Sequence, residues 1–192
     1  HVHFSVLNRD GENIFDNGGD DGSPLLLAAV AGCLAAMPAS TLLFAPHGNS
    51  YDRLVPGAHA PTNAAWAYEN RTAAIRIPGG APSARRIEHR VAGGDINPYL
   101  TLSAILGAAI VGIEDNMSPP EPVSGNAYEL SGLPHLAQTW GESIASIESD
   151  PLLARILPQQ LIQNLVLTKR QERTLFSRME PETHWLSYLE TV

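Results

Sequence analysis

Residues 49–90 read NSYDRLVPGAHAPTNAAWAYENRTAAIRIPGGAPSARRIEHR. Two strand-like stretches fall here, Arg71–Pro78 inside the run and Arg86–Val91 at its end, with a turn over Gly79–Ser83 between them. In the second stretch Arg86, Glu88 and Arg90 fall on one face, and Ile87, His89 and Val91 on the other. Charge at every second position is costly to bury dry. A face of this kind is expected to line a wet, ligand-filled cleft, with His89 structural on the core side. Arg71 and Arg76 have opposite parity, so a regular strand points them apart. They serve one site only if Arg71 precedes the strand proper or a bulge intervenes.

The charge balance sharpens this reading. Six of the eleven arginines lie between Arg53 and Arg90, against Glu69 and Glu88, a local +4 in a chain of net charge −8. An arginine island in an acidic protein fits a compact anion, above all phosphates that want forked donors. Nucleic acid would want a broad basic face. A solvated, charged hairpin is the alternative. Lys169 is the single lysine, so no lysine-dependent phosphate loop exists here.

Upstream, residues 1–6 alternate. Val2, Phe4 and Val6 take one strand face; His1, His3 and Ser5 take the other, which lets both imidazoles look into one cavity. The polar loop Asp16–Gly22 follows, then Ser23 and Pro24, an N-cap and a first-turn proline. Leu25–Met37 is apolar nearly all round and reads as a buried helix that Pro38 ends or kinks, with Ser40–Phe44 as a possible continuation. The apolar run is too short and alanine-rich to span a bilayer. Cys33 inside it reads as a small buried hydrophobe, and a single thiol fits a reducing compartment. Residues 49–61 read as a loop, a usual carrier of function.

Downstream, Asn97-Pro98 starts a second apolar helix over Leu100–Ile113, expected to be buried. Residues 116–136 are a proline- and glycine-rich connection. Thr139 and Glu142 make a capping box for a helix to Ser149, and Asp150 caps a short one. Pro158–Met179 reads as an exposed amphipathic helix, and His184–Glu190 as a last turn or two.

Histidine and glutamate beside several arginines make a plausible Mg²⁺ or Mn²⁺ site that also holds polyphosphate, which leans toward an ATP-using enzyme. The ordered motifs H-x-H-x-S (1–5), N-S-Y-x-R-L-V-P-G-x-x-A-P (49–61), N-R-x-x-x-I-R-I-P (70–78), R-R-I-E-x-R (85–90) and N-P-Y-L (97–100) resemble the C-terminal catalytic part of the glutamine synthetase superfamily. The resemblance implies an α+β fold: antiparallel strands of a glutamine synthetase/guanidino kinase-like catalytic barrel, backed by helices. It implies that residues 1–192 are the C-terminal part of that domain, with a β-grasp domain and the first part of the catalytic domain upstream. It also implies ATP, glutamate and an amine as substrates, Mg²⁺ or Mn²⁺ as cofactor, a cytoplasmic ring-forming homo-oligomer with shared sites, and no nucleic-acid or membrane partner.

Residue by residue, the resemblance makes His1 and Glu88 metal ligands. His3, Ser5, Arg76 and Arg86 lie at the nucleotide. Arg53 and Arg90 hold the glutamate carboxylate, and Arg71 contacts the phosphate in transfer. The loop after V-P-G carries a glutamate in ammonia-using members, and His59 stands there instead. An imidazole cannot hold ammonium as a carboxylate does, but a neutral one can serve as a base toward an amine. The stretch APTNAAWAYENRTAAIRIPG (60–79) also looks more like the branch that joins glutamate to polyamines or other amines. Other acidic metal ligands lie upstream in the family, so residues 1–192 alone are expected to be inactive. The competing readings are a true glutamine synthetase, a guanidino kinase, which the 49–56 motif argues against, and a ligase-like binding domain without catalysis.

Overall fold

A computed structural model describes residues 1–189. Four short strands, β1 (Val2–Phe4), β2 (Trp66–Tyr68), β3 (Ile75–Ile77) and β4 (Ile87–His89), form one open sheet in the order β1-β4-β3-β2. β1/β4 and β4/β3 pair antiparallel, as expected. β2/β3 pair parallel, because the chain between them returns through a turn at 69–74 instead of a two-residue hairpin.

Among the described residues, five α-helices cover the core: α1 (Pro24–Phe44), α2 (Pro98–Glu114), α3 (Trp140–Ser149), α4 (Leu153–Ile156) and α5 (Gln159–Phe176). The Ser23 hydroxyl accepts from Leu26 N–H and donates to the Ile14 carbonyl, so the cap also ties α1 to the chain after β1. Pro38 sits inside α1, which runs on unbroken to Phe44. The helix is therefore longer than its first apolar run, and at 21 residues it is long and apolar enough to cross a membrane. Sixteen of those residues are buried against the other elements, which makes α1 the core helix of this domain. Its contact with α2 is a backbone contact. A Cβ on Gly32 would lie 2.1 Å from the Ala108 carbonyl oxygen, and one on Gly112 would lie 2.1 Å from that of Ala28. Only glycine allows this approach.

α2 departs from expectation. Uniform apolarity predicts burial on all sides, yet Tyr99 (81% exposed), Leu102, Leu106 and Ile110 form an exposed stripe. Their three- and four-residue spacing puts them on one side, opposite the side that α1 and α4 cover. α5 is amphipathic as expected, but Lys169 belongs to its buried side together with Ile162 and Val166. Its ammonium donates to Glu172, 2.7 Å away. Residues 181–188 form 3-10 turns; Glu190, the end of the expected last turn, lies outside the described residues.

The 116–136 connection is a strap laid along β2. Trp66 Nε1 donates to the Pro120 carbonyl (2.6 Å), Val123 N–H to the Trp66 carbonyl (2.9 Å), and Ala64 N–H to the Pro134 carbonyl (2.8 Å). These bonds satisfy backbone groups that an edge strand would otherwise leave open.

Candidate functional site

Register builds the site. His3 pairs with Glu88, and Glu88 with Arg76, so three polar side chains from three strands form one row on one sheet face. The next row, Val2, His89, Ile75 and Trp66, faces the core.

Glu88 is the hub. It is 5% exposed, and both oxygens are engaged. Arg76 Nε donates to Oε2. Oε1 faces His1 Nδ1 at 3.2 Å, His3 Nε2 at 3.4 Å and Arg90 Nε at 3.5 Å. Burial pushes the Glu88 carboxyl up, but Arg76, Arg90 and His3 outweigh it and hold it below the ordinary carboxylate range. Arg76 also lies 3.7 Å from Glu69, whose carboxylate accepts from Gly79 N–H.

The parity conflict between Arg71 and Arg76 resolves as the first of its two options. Arg71 lies in the turn before β3, and both arginines line one cleft of about 440 Å³ with His1, His59, Thr72, Glu88, Arg90 and Tyr128. Arg90 does more than line it. Its Nη1 donates to the Arg71 carbonyl and, at 3.4 Å, to that of Ala73, so it fixes the turn that aims Arg71.

Arg53 lines an adjoining hollow of about 310 Å³ with His1, Ala58, His59 and Gly93. His1 and His59 belong to both spaces. Arg53 Nη2 donates to Val91 O (3.0 Å) and more weakly to Phe44 O (3.4 Å). Burial lowers its pKa, and Asp95 opposes that shift. Gly93 makes room for this side chain: a Cβ there would lie 2.9 Å from Arg53 Nη2 and 2.3 Å from Asp95 Oδ1. Asp95 is held in turn by the Ser50 hydroxyl.

Three expected residues lie outside the cleft lining: His3, which reaches Glu88 from β1, Arg86 and Ser5. The Arg86 guanidinium donates to the Ala84 carbonyl, 3.2 Å away, and Ser5 is exposed beyond the end of β1. Arg85, counted in the arginine island, is 3% exposed and structural. It donates to the Gly19 carbonyl at 3.1 Å and tethers the acidic loop 16–22. Cys33 is inert, since burial pushes its thiol up to about 12. His89 is structural as expected, its ring tilted against that of Phe44 with centroids 4.6 Å apart. Thr72, Asp95 and Tyr128 were not legible as site residues. No charge pattern marks Thr72 or Tyr128, and Asp95 sits in a glycine-rich loop far from Arg53 in sequence.

The donor set suits part of a divalent ion site. Glu88 Oε1 and the two imidazoles offer one oxygen and two nitrogens, yet among the described residues no group of three or more His, Cys, Asp or Glu is arranged to hold a metal. A larger groove of about 540 Å³ beside the strap is lined by Trp66, Tyr68, Met117, Asp21 and Glu121 but by no arginine, and does not suit phosphate.

The chain matches known proteins over nearly its whole length. The chain is 38% identical over 188 residues to gamma-glutamylputrescine synthetase PuuA of Escherichia coli, a match spanning 97% of this chain and 40% of that protein. It is 37% identical to gamma-glutamylethanolamide synthetase GlnA4 of Streptomyces coelicolor, over 92% of this chain and 37% of that one. It is 40% identical to a glutamine synthetase of Aquifex aeolicus, over 90% and 39%. The chain thus spans about 40% of the length of these relatives. Among solved structures, one titled "GmaS/ADP complex-Conformation 1" superposes with a TM-score of 0.81 at 27% identity, covering 98% of this chain and 45% of that one. The family described as "Glutamine synthetase, catalytic domain" matches residues 1–188. With that match on top of the cleft's geometry, this chain belongs to the glutamine synthetase catalytic-domain family.

Proposed function

We propose that residues 1–192 are the C-terminal part of a catalytic domain that joins glutamate to an organic amine at the expense of ATP. The observation that carries this reading is the Glu88 cleft, where one buried carboxylate gathers His1, His3, Arg76 and Arg90 beside Arg71 and His59. In the first step a glutamate γ-carboxylate oxygen attacks the γ-phosphorus of ATP, and the bond to ADP breaks. A carboxylate is a poor electrophile and an acyl phosphate a good one, so this step activates the carbon. In the second step the amine nitrogen attacks that carbon, phosphate leaves, and the nitrogen loses a proton.

Each residue has a place in this scheme. Arg53 and Arg90 hold the glutamate carboxylate, and Arg71 meets the phosphoryl group in transfer. Arg76, with His3, Ser5 and Arg86 toward the strand ends, attends the nucleotide. His1 and Glu88 contribute ligands to a Mg²⁺ or Mn²⁺ ion, which when bound neutralises phosphate charge. They are only part of a coordination shell, so residues 1–192 alone should show no ligase turnover. His59, between the two hollows, takes the amine proton. Two relatives, a gamma-glutamylputrescine synthetase and a gamma-glutamylethanolamide synthetase, support an organic amine.

The test offers the full-length enzyme ATP and glutamate with ammonia, putrescine, spermidine, ethanolamine and monoamines in parallel. One organic amine should turn over fastest. Ammonia turning over as well as any amine would sink the role of His59. A Glu88→Ala variant should lose Mn²⁺-dependent ATP binding, and retained binding would remove Glu88 from the metal site.

A further inference from the structure

The loop that carries His59 is weakly held by its own residues. Residues 55–59 are exposed, and Gly57 (φ 84°) and His59 (φ 61°) both sit in the left-handed region. For a histidine that conformation is uncommon and needs support from its surroundings. Within the loop, the backbone hydrogen bond from Ala58 N–H to the Val55 carbonyl is 3.2 Å.

Support arrives from 68 residues away. The Tyr128 hydroxyl donates to the carbonyl of Ala60, the residue after His59, at 3.0 Å. Among the described residues, no other side-chain hydrogen bond reaches residues 55–60. Tyr128 is itself placed by local hydrogen bonds. Its N–H donates to Asn126 Oδ1 (3.2 Å), and the Asn126 amide donates to Glu129 (2.7 Å). Ala127 N–H donates to the Thr72 hydroxyl (2.9 Å), next to Arg71 in the phosphate-side turn. Tyr128 and Thr72 both line the Glu88 cleft. The strap thus ties the turn carrying Arg71 to the loop carrying His59.

We propose that Tyr128 is a positioning residue that latches loop 55–60 and sets where His59 stands toward the incoming amine. This rests on the assignment of His59 to the amine side of the cleft. Truncating the hydroxyl frees the Ala60 carbonyl and lets the loop sample other conformations. The step that needs His59 in place then weakens more than formation of the acyl phosphate, which uses other residues.

The experiment compares wild type, Tyr128→Phe, His59→Ala and the double variant in the full-length enzyme. Peptide-level hydrogen exchange over residues 55–60 should quicken in Tyr128→Phe. The KM for the best amine should rise roughly five-fold, the scale of one neutral hydrogen bond. Glutamate-dependent ATP hydrolysis without amine should change less than the amine KM. In the His59→Ala background, Tyr128→Phe should add nothing further. Unchanged exchange over the loop, or KM effects that multiply in the double variant, would overturn the latch. A distinct result separates the underlying reading: if His59→Ala leaves the amine KM unchanged while Tyr128→Phe still loosens the loop, the amine role of His59 falls and the latch stands.

Discussion

Glu88 and His89 are neighbours on β4 and almost equally withdrawn from water, 5% and 1% exposed, yet their charges meet opposite fates. Glu88 stays ionised because its row of the sheet supplies Arg76 and His3 in register, with Arg90 and His1 beside them. His89 is held neutral because its row supplies Val2 and Ile75, with the Phe44 ring against it. Burial drives its pKa down to about 3. Burial itself does not decide charge. The partners that strand register brings to each face decide it, and β4 separates a polar cleft from an apolar core by one residue.

Breaking the polar side should have the largest effect. Glu88→Ala leaves Arg76 and Arg90 together without their shared carboxylate. The loss should be about 3 kcal/mol of folding stability, read by urea denaturation. A variant as stable as wild type would mean that solvent, not Glu88, compensates these arginines.

The core side should respond to acid instead. His89 has a lowered folded-state pKa, so its contribution is fully present above the unfolded value near 6.5. It is lost progressively as pH falls toward about 3, because only the unfolded chain takes up the proton. The slope attributable to His89 approaches 1.4 kcal/mol per pH unit at most, roughly. Denaturation at pH 7, 6, 5 and 4 should show a steeper decline in wild type than in His89→Leu. Parallel curves would contradict the neutral buried state.

Arg90→Lys is a finer probe, since it keeps the charge near Glu88 but loses the forked donation to the Arg71 and Ala73 carbonyls. About 1 kcal/mol of stability should go, together with loosened exchange across residues 71–74. The smallest effect should come from Arg155→Ala. Its bidentate pair with Asp115 is well formed at 2.6 and 2.9 Å but lies in solvent, and removing it should not measurably shift the denaturation midpoint. The contrast between the two arginines isolates burial as the variable.

Much of the cleft was legible from residue spacing. Period-two alternation put His1 and His3 together and separated Glu88 from His89, because side-chain direction in a strand is a local property. The capped starts of α1, α2 and α3 were legible for the same reason: Ser23, Asn97 and Thr139 each satisfy N–H groups two or three residues on. The sequence left open whether α1 stops at Pro38 or continues through Ser40–Phe44; it continues, since the surrounding packing outweighs one missing hydrogen bond. Uniform apolarity misled about α2, because composition shows that a helix can be buried but not how many neighbours arrive to bury it.

By itself the sequence determined the helix starts, the parity of each strand, the order of the motifs and the arginine island. All of these depend on covalent neighbours a few residues apart. Only the tertiary structure decided the register that stacks His3, Glu88 and Arg76 in one row, and the turn that brings Arg71 back to them. It alone decided the glycine-to-glycine crossing of α1 and α2, and the strap that carries Tyr128 to the His59 loop. These pairings join residues 12 to 85 positions apart. Chain connectivity does not favour them; they form where backbone hydrogen bonds and burial together repay the entropy of closing long loops.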